Sequence, residues 1–472
     1  MVRIMPDSNA GQDRRTALKL AALGGAGLAL RSFGLLGEEP PPKESQRNGL
    51  QPPNIVIVLS DDQGWRDAGY QGSPFAKTPN LDALAANGVR FDRLYAAQQM
   101  CSPGRFGILT GRAPFRSGIP FLDPIRPEEI TIARALKTAG YATAHFGKWH
   151  LGSGESHPLR MGFDASFYSP NFFDIGGKLR DEANKKDLTV AGDSSVFTMD
   201  LALDWIRKQS GKKQPFFAYV CFGSPHDPHL GSEEFKALYQ EFAGRPEFAA
   251  RKGGKQSSLV DFYAELSGVD AAVGKLRALL RELALADNTL VWFTSDNGGI
   301  RGELSNDPAG LGKGRIGART ISCLEWPARV KKPIRTDCAC VHMDMYPTIL
   351  DLVGVQMRRQ PVLDGISLAP LLEGKMERRP KPIGFMLGPS AKELPDADFI
   401  QDTSAVWIDG AHKLSVGRKG ETVKLVDIYA DPTEKKDLAA AQPEQVKALR
   451  EALDAWRRSV RNSYERKDYE KP

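Results

Sequence analysis

Asn54 to Trp65 reads NIVIVLSDDQGW, and this stretch decides the fold. Ile55 to Leu59 is an unbroken, largely β-branched apolar run, the pattern of a strand covered on both faces. It stops at the paired carboxylates Asp61 and Asp62, with Gly64 close behind. Thr289 to Thr294 (TLVWFT) repeats the design and ends at Ser295-Asp296-Asn297-Gly298. Around these runs, short apolar strands alternate with segments of helical period. The spacing predicts a helix over Thr78 to Ala86, capped by Thr78, and another over Ile132 to Ala139, stopped by Gly140. Strands are expected at Tyr141 to Phe146, Pro215 to Phe222 and near Ile321 to Leu324, with helices over Leu259 to Leu285 and Met345 to Val353. Such alternation predicts an α/β fold, a large mixed and mostly parallel sheet flanked by helices.

From about Leu363 the texture changes to short alternating segments, Ala405 to Ile408, Lys413 to Val416 and Val423 to Ile428, closed by an amphipathic helix near Gln445 to Val460. A small antiparallel sheet carrying one helix is expected there. The organisation is therefore read as an α/β domain over 54–362 and an α+β subdomain over 363–472.

With 41% hydrophobic and 26% charged residues in a chain of 472, there is ample material for a buried core and none of the bias of a disordered or collagen-like polymer. The net charge is +6, and residues 1–37 hold Arg3, Arg14, Arg15, Lys19 and Arg31 against Asp7 and Asp13, so the remainder carries about +3. A balance so mild argues against nucleic acid as a partner. Arg14-Arg15-Thr16-Ala17-Leu18-Lys19 leads into an apolar run, Leu20 to Leu30, too short to span a bilayer. Residues 1–37 read as a twin-arginine export signal, with an ordinary secretory signal or an uncleaved anchor as alternatives. Residues 38–53, containing Pro40-Pro41-Pro42, read as a Pro-rich linker. The expectation is a periplasmic or secreted protein, handled by the export machinery and without a stable transmembrane anchor. Five cysteines, Cys101, Cys221, Cys323, Cys338 and Cys340, are too few and too odd in number for a disulfide framework. Cys221 and Cys323 sit in apolar surroundings that favour core packing, and Cys338-Ala339-Cys340 matches no metal motif.

Ligand sites in open α/β sheets lie beyond the carboxyl ends of the strands. Four strands here end in polar groups: Asp61-Asp62, Lys148-Trp149-His150, His226-Asp227-Pro228-His229 and Asp296-Asn297. One Asp-Asp or Asp-Asn-Gly alone is an ordinary turn or cap. Two of them, each closing a buried strand, favour a hard divalent cation, because Asp61, Asp62, Asp296 and Asn297 all offer oxygen. Taken singly, Lys148 and His150 could end a solvated strand and His226 could be a turn histidine, while Trp149 suits packing.

Cys101-Ser102-Pro103-Gly104-Arg105, followed by FGILTG over Phe106 to Gly111, should open a helix with the cysteine at its amino end. The stretch resembles the signature of the type I sulfatases of the alkaline phosphatase-like superfamily, in which the cysteine of Cys-x-Pro-x-Arg becomes formylglycine. Seven motifs carry the resemblance in family order: NIVIVLSDDQGW, TPNLDALAANGVRF, CSPGRFGILTGR, FGKWHLG, SPHDPH, LADNTLVWFTSDNGG and DIYADPTEKKDLA. It implies an exported sulfatase. It also implies that Asp61, Asp62, Asp296 and Asn297 hold the metal, completed by an oxygen of modified Cys101, with Ca²⁺ ahead of Mg²⁺. Formylglycine at Cys101 would supply two geminal hydroxyls, one to attack sulfur beside Arg105 and one, deprotonated by His150, to expel sulfate. Lys148 and Lys313 would neutralise sulfate oxygens, and His226, with or without Lys313, would protonate the leaving oxygen. His229 inherits no role and is expected at the surface, on the substrate rim or against substrate.

The pattern departs from the family after Lys313. Lys313-Gly314-Arg315-Ile316-Gly317-Ala318-Arg319 runs straight into Thr320 to Trp326, shortened and without the usual Glu, so Arg315 or Arg319 could share the task of Lys313. The implied substrate is a sulfate ester, of a carbohydrate more than of a simple aryl alcohol. The implied maturation partner is a formylglycine-generating or sulfatase-maturating enzyme. A phosphonate or phosphate ester hydrolase of the same superfamily and a catalytically silent sulfated-glycan-binding protein are the other readings. Ser166 to Asp200 and Gly231 to Ser258 carry no transferable motif and are expected as loops.

Overall fold

A computed structural model describes residues 51–119, 124–242, 244–248, 258–299, 316–388 and 397–469. Lys313, Arg315, residues 1–37, read as an export signal, and nearly all of residues 38–53, read as a linker, lie outside the described residues.

The Asn54 run is a strand, β1 (Asn54–Ser60). Ile55, Ile57 and Leu59 enter one buried cluster, and Val56 and Val58 another on the opposite face. Burial on both faces is why this run shows no polar alternation. The sheet continues in chain order with β2 (Val89–Phe91), β3 (Ala142–Lys148), β4 (Ala165–Ser169), β5 (Lys178–Asp181), β6 (Lys186–Thr189), β7 (Phe216–Cys221), β8 (Thr289–Ser295), β9 (Ser322–Glu325) and β10 (Ile334–Thr336). Its spatial order is β10-β2-β9-β8-β1-β7-β3-β4-β5-β6. The central strands β8, β1, β7, β3 and β4 are parallel, while β9, β5 and β6 pair antiparallel with their neighbours. This is the mixed, mostly parallel α/β sheet that the alternation predicts.

Helices α1 (Pro79–Ala86), α2 (Cys101–Thr110), α3 (Ile132–Thr138), α4 (Ser194–Ser210), α5 (Leu259–Glu282) and α6 (Met345–Val353) cover it. α2, α3 and α6 pack on the Ile55 face, and α1, α4 and α5 on the Val56 face. Thr78 occupies the cap position of α1 but does not cap it. Its hydroxyl donates to Asp82 at 3.1 Å and accepts from the Gly69 N–H at 2.8 Å, tying the preceding loop to the helix instead.

The smaller sheet is antiparallel, β11 (Ile383–Met386), β12 (Ala405–Asp409), β13 (His412–Val416) and β14 (Val423–Asp427), paired in that order. Two helices accompany it, α7 (Ala397–Asp402) and α8 (Pro443–Tyr464). Trp456 of α8 lies against Gly384 of β11, where a Cβ would come within 2.7 Å of the indole. Leu363, Ile366, Leu368 and Leu371 pack into the core of the large sheet.

Two expectations of loop structure are corrected. Ser166 to Asp200 contains most of β4, the β5–β6 hairpin and the start of α4. β5 and β6 are four-residue, mainly polar strands at the sheet edge, so no apolar run announces them. Gly231 to Ser258 contains short helical turns whose Tyr239, Phe242 and Phe248 pack with Phe75 and Tyr263. Among the described residues no helix is long and apolar enough to cross a membrane.

Candidate active site

Register brings the site together. Ser60 of β1 is paired with Ser295 of β8, so Asp61-Asp62 and Asp296-Asn297 emerge side by side. The Asp296 N–H donates to the Ser60 carbonyl at 3.1 Å, and the Asp62 N–H to Asp296 Oδ1 at 3.2 Å. Across β1 the Asp61 N–H reaches the Ser224 carbonyl at 3.0 Å, which anchors the loop carrying His226. β3, on the far side of β7, delivers Lys148 to the same end. α2 supplies Cys101 at its first residue, with Sγ 3.3 Å from Asp61 Oδ1 and 3.9 Å from Asp62 Oδ1.

Arg105, one turn further along α2, is fully buried. Its Nε donates to Asp296 Oδ2 at 2.9 Å, and another guanidinium nitrogen donates to the Lys148 carbonyl at 2.7 Å. Lys148 Nζ pairs with Asp61. Asn297 Nδ2 donates to Asp62 Oδ1 at 2.7 Å, while its buried Oδ1 has no hydrogen-bond partner. Asp61, Asp62, Asp296 and Cys101 each present an atom to one buried group, with all four atoms within 4.8 Å of one another. Packed carboxylates beside an acceptor that lacks a donor fit a hard cation with oxygen ligands.

The charges answer one another. Burial, reinforced by Asp61, pushes the Asp296 carboxyl up to about 6 against the pull of Arg105. Burial pushes the Cys101 thiol well above its ordinary range, and Asp296 and Asp61 add to it. An unmodified thiol here stays protonated and is a poor nucleophile. Burial works against the Lys148 ammonium, but Asp61 overrides it and holds the group above its usual value. His150 is driven down to about 3, by burial first and then by Lys148 and Arg105, which favours its neutral imidazole. His226 donates from Nδ1 to the Asp227 carbonyl at 2.6 Å, which fixes the tautomer and turns Nε2 toward Asp62 Oδ2, 3.6 Å away. Asp62 and His150 both have positive φ, 64° and 56°, conformations that non-glycine residues hold only where the surroundings impose them.

The structure thus gathers Asp61, Asp62, Cys101, Arg105, Lys148, His150, His226, Asp296 and Asn297. His229 is a correction. It is buried, with Nδ1 3.5 Å from Glu265 and its ring on Phe262, so it is neither surface nor rim. Trp149 is packing, buried against His145 and Phe163. Sequence reasoning missed the segment after β4. The Pro170 carbonyl accepts the His150 N–H at 3.1 Å, and the Phe172 ring lies 5.0 Å from His226, so one loop braces both histidines. The paired aromatics Phe172-Phe173 just past a strand end were the available signal.

A sulfatase family model matches residues 53–355. The pig N-acetylgalactosamine-6-sulfatase is 33% identical over 70% of this chain and 68% of its own length. Human arylsulfatase A is 31% identical over 85% of this chain and 87% of its own. The crystal structure of Ps i-CgsB superposes with a TM-score of 0.77 at 25% identity, covering 87% of this chain and 94% of that one. With the family model, the relatives and the fold in agreement, the chain belongs to the sulfatase family of the alkaline phosphatase-like superfamily and is a sulfuric ester hydrolase.

Proposed function

We propose that this protein is an exported sulfatase that removes sulfate from a sulfated carbohydrate, using formylglycine made from Cys101 and a bound divalent cation, Ca²⁺ in preference to Mg²⁺. The observation that carries the reading is Cys101 at the start of α2, facing the buried carboxylates of Asp61 and Asp62 at 3.3 and 3.9 Å. The cation, held by Asp61, Asp62, Asp296 and Asn297, would polarise the sulfate group. Formylglycine, in its hydrated form, would supply the hydroxyl that the protonated thiol cannot replace.

The side chains of this protein do the rest. Arg105 orients Asp296 and balances the carboxylates through its fork of donors. Lys148 offers a permanent positive charge where sulfate oxygens gain charge, and Lys313 would add a second. His150, half-buried, would accept a proton at a ring nitrogen. His226, when protonated at both ring nitrogens, would give its Nε2 proton to the departing oxygen, so that the alcohol leaves neutral. The pig relative's name points to N-acetylgalactosamine 6-sulfate as the first sugar ester to assay. Arg14-Arg15 and the apolar run behind them support export to the periplasm or beyond. A formylglycine-generating or sulfatase-maturating enzyme acts on Cys101 beforehand.

Peptide mass spectrometry across Cys101, on protein from a host that converts a control sulfatase, tests this together with turnover of matched aryl sulfate and aryl phosphate. An aldehyde at position 101 with preferential sulfate release is expected. An unmodified, inactive Cys101 in that host rejects the formylglycine route, and preferential phosphate turnover rejects the sulfate assignment.

A further inference from the structure

Between α7, the turn at 417–421 and α8 lies an open cleft of about 550 Å³ that shares no lining residue with the Cys101 site. Lys419, Arg450, Arg457 and Arg458 converge on it against only Asp402 and Asp454. Asp454 is already engaged, since Arg457 pairs with it at 3.3 Å. Lys419, Arg450 and Arg458 have no carboxylate within ion-pair distance among the described residues. The cleft therefore holds a surplus of uncompensated positive charge.

Two buried donors without partners belong to residues of the cleft wall. Arg457 is 5% exposed, and its Nε has no hydrogen-bond partner. Gln401 Nε2, on the same wall, is also buried without an acceptor. The backbone is shaped for this arrangement. Gly420 lets the Arg450 guanidinium lie where a Cβ would be 2.1 Å from one of its nitrogens, and Lys419 holds a φ of 51°. Burial, opposed by Asp454 and reinforced by Arg450, holds the Arg457 guanidinium below its ordinary value.

We propose that this cleft is a second binding site, which takes a sulfate group of a glycan chain. Guanidinium forks match the oxygens of a tetrahedral anion, and the space is many times that of one sulfate ion, so the sugar bearing it fits as well. The polar lining offers hydroxyl partners and no apolar floor for an acyl chain. The inference rests on the reading of the substrate as a sulfated carbohydrate, and it adds a point at which the enzyme holds the chain apart from the ester it cleaves.

The test is fluorescence anisotropy of a labelled hexasaccharide bearing N-acetylgalactosamine 6-sulfate, titrated with the full-length protein before measurable turnover. Its desulfated counterpart and sodium sulfate are run in parallel. Lys419→Glu with Arg450→Glu should weaken hexasaccharide binding at least about tenfold while 4-nitrophenyl sulfate turnover stays within about twofold, as expected when a charge-assisted contact is lost outside the reacting centre. The exposed single variant Lys419→Gln should weaken binding measurably, and it answers the question if the double variant melts early. Unchanged affinity in these variants overturns the site. Sodium sulfate binding as tightly as the hexasaccharide overturns its assignment to a glycan. If no sulfate ester is hydrolysed but Arg450-dependent binding persists, the cleft stands and the catalytic reading fails. If hydrolysis survives and binding is the same in every variant, the catalytic reading stands and the cleft fails.

Discussion

Gly104 approaches Asp296 so closely that a Cβ at position 104 would stand 2.0 Å from the Asp296 carbonyl oxygen. The helix that begins at Cys101 and the strand end that carries Asp296 are thus in backbone contact, which explains a glycine between Pro103 and Arg105. Gly104→Ala must push α2 away from β8. Overpacking of this kind costs about 1–3 kcal/mol. A displacement near 1 Å at a reacting group costs about a hundredfold in rate. Thermal unfolding and kcat/KM on an aryl sulfate measure both; a fully active Gly104→Ala would show that α2 tolerates the shift.

Asn297 Oδ1 is a buried acceptor with no donor, next to three carboxylates. Added Ca²⁺ should raise Tm, since a ligand bound at a hundred times its Kd stabilises by about 2.7 kcal/mol. Asn297→Ala should move the Ca²⁺ midpoint at least about tenfold higher, the loss of one oxygen ligand. Differential scanning fluorimetry across a Ca²⁺ series, with Mg²⁺ beside it, gives the answer. A Tm indifferent to either ion would remove the cation from these residues.

Phe172 lies against the His226 ring, whose Nδ1–H is already committed to the Asp227 carbonyl. A residue that holds a proton donor matters most when the leaving group needs the proton. Phe172→Ala is therefore expected to lower kcat on a sugar sulfate about tenfold while changing 4-nitrophenyl sulfate turnover less than about twofold. Equal losses on both substrates would reduce Phe172 to general packing.

Asp364 ties the loop after α2 to the C-terminal helix. It accepts from Arg116 Nε at 2.7 Å, from the far guanidinium nitrogen at 2.8 Å, from the Ala113 N–H at 2.6 Å and from Trp456 Nε1 at 2.8 Å. Burial alone would raise this carboxyl, but Arg116 and the other donors outweigh it and hold it down to about 2. Because the folded value lies below the unfolded one, the stabilisation is complete above about pH 4 and fades as pH falls through 2. Asp364→Asn leaves a buried guanidinium without its counter-charge, so a loss of about 3–5 kcal/mol is expected at pH 7. Denaturant unfolding at pH 7 and again near pH 3 should show the gap between variant and wild type narrowing with acid. A constant gap would contradict the linkage.

The large sheet was legible because its central strands are buried on both faces, and β1 and β8 therefore read as unbroken apolar runs. Met345–Val353 appears with the bounds its periodicity predicts, and the closing helix is found at Pro443–Tyr464. β5, β6 and β11 were not legible, because four-residue strands acquire their identity from backbone pairing with a neighbour. His229 was misread for a related reason. A polar residue beside a catalytic loop looks functional in one dimension, and only the packing of α5 against that loop shows Glu265 and Phe262 enclosing it.

The sequence by itself determined the fold class, the family and the set of chemically competent residues, because motif order and apolar period are properties of the chain. The tertiary structure decided which of those residues meet, through the pairing of Ser60 with Ser295 and the close approach of Gly104 to Asp296. It alone revealed the brace at Phe172, the burial of His229 and the basic cleft between α7 and α8. Each depends on segments distant in sequence, and no local period or motif encodes their distance in space.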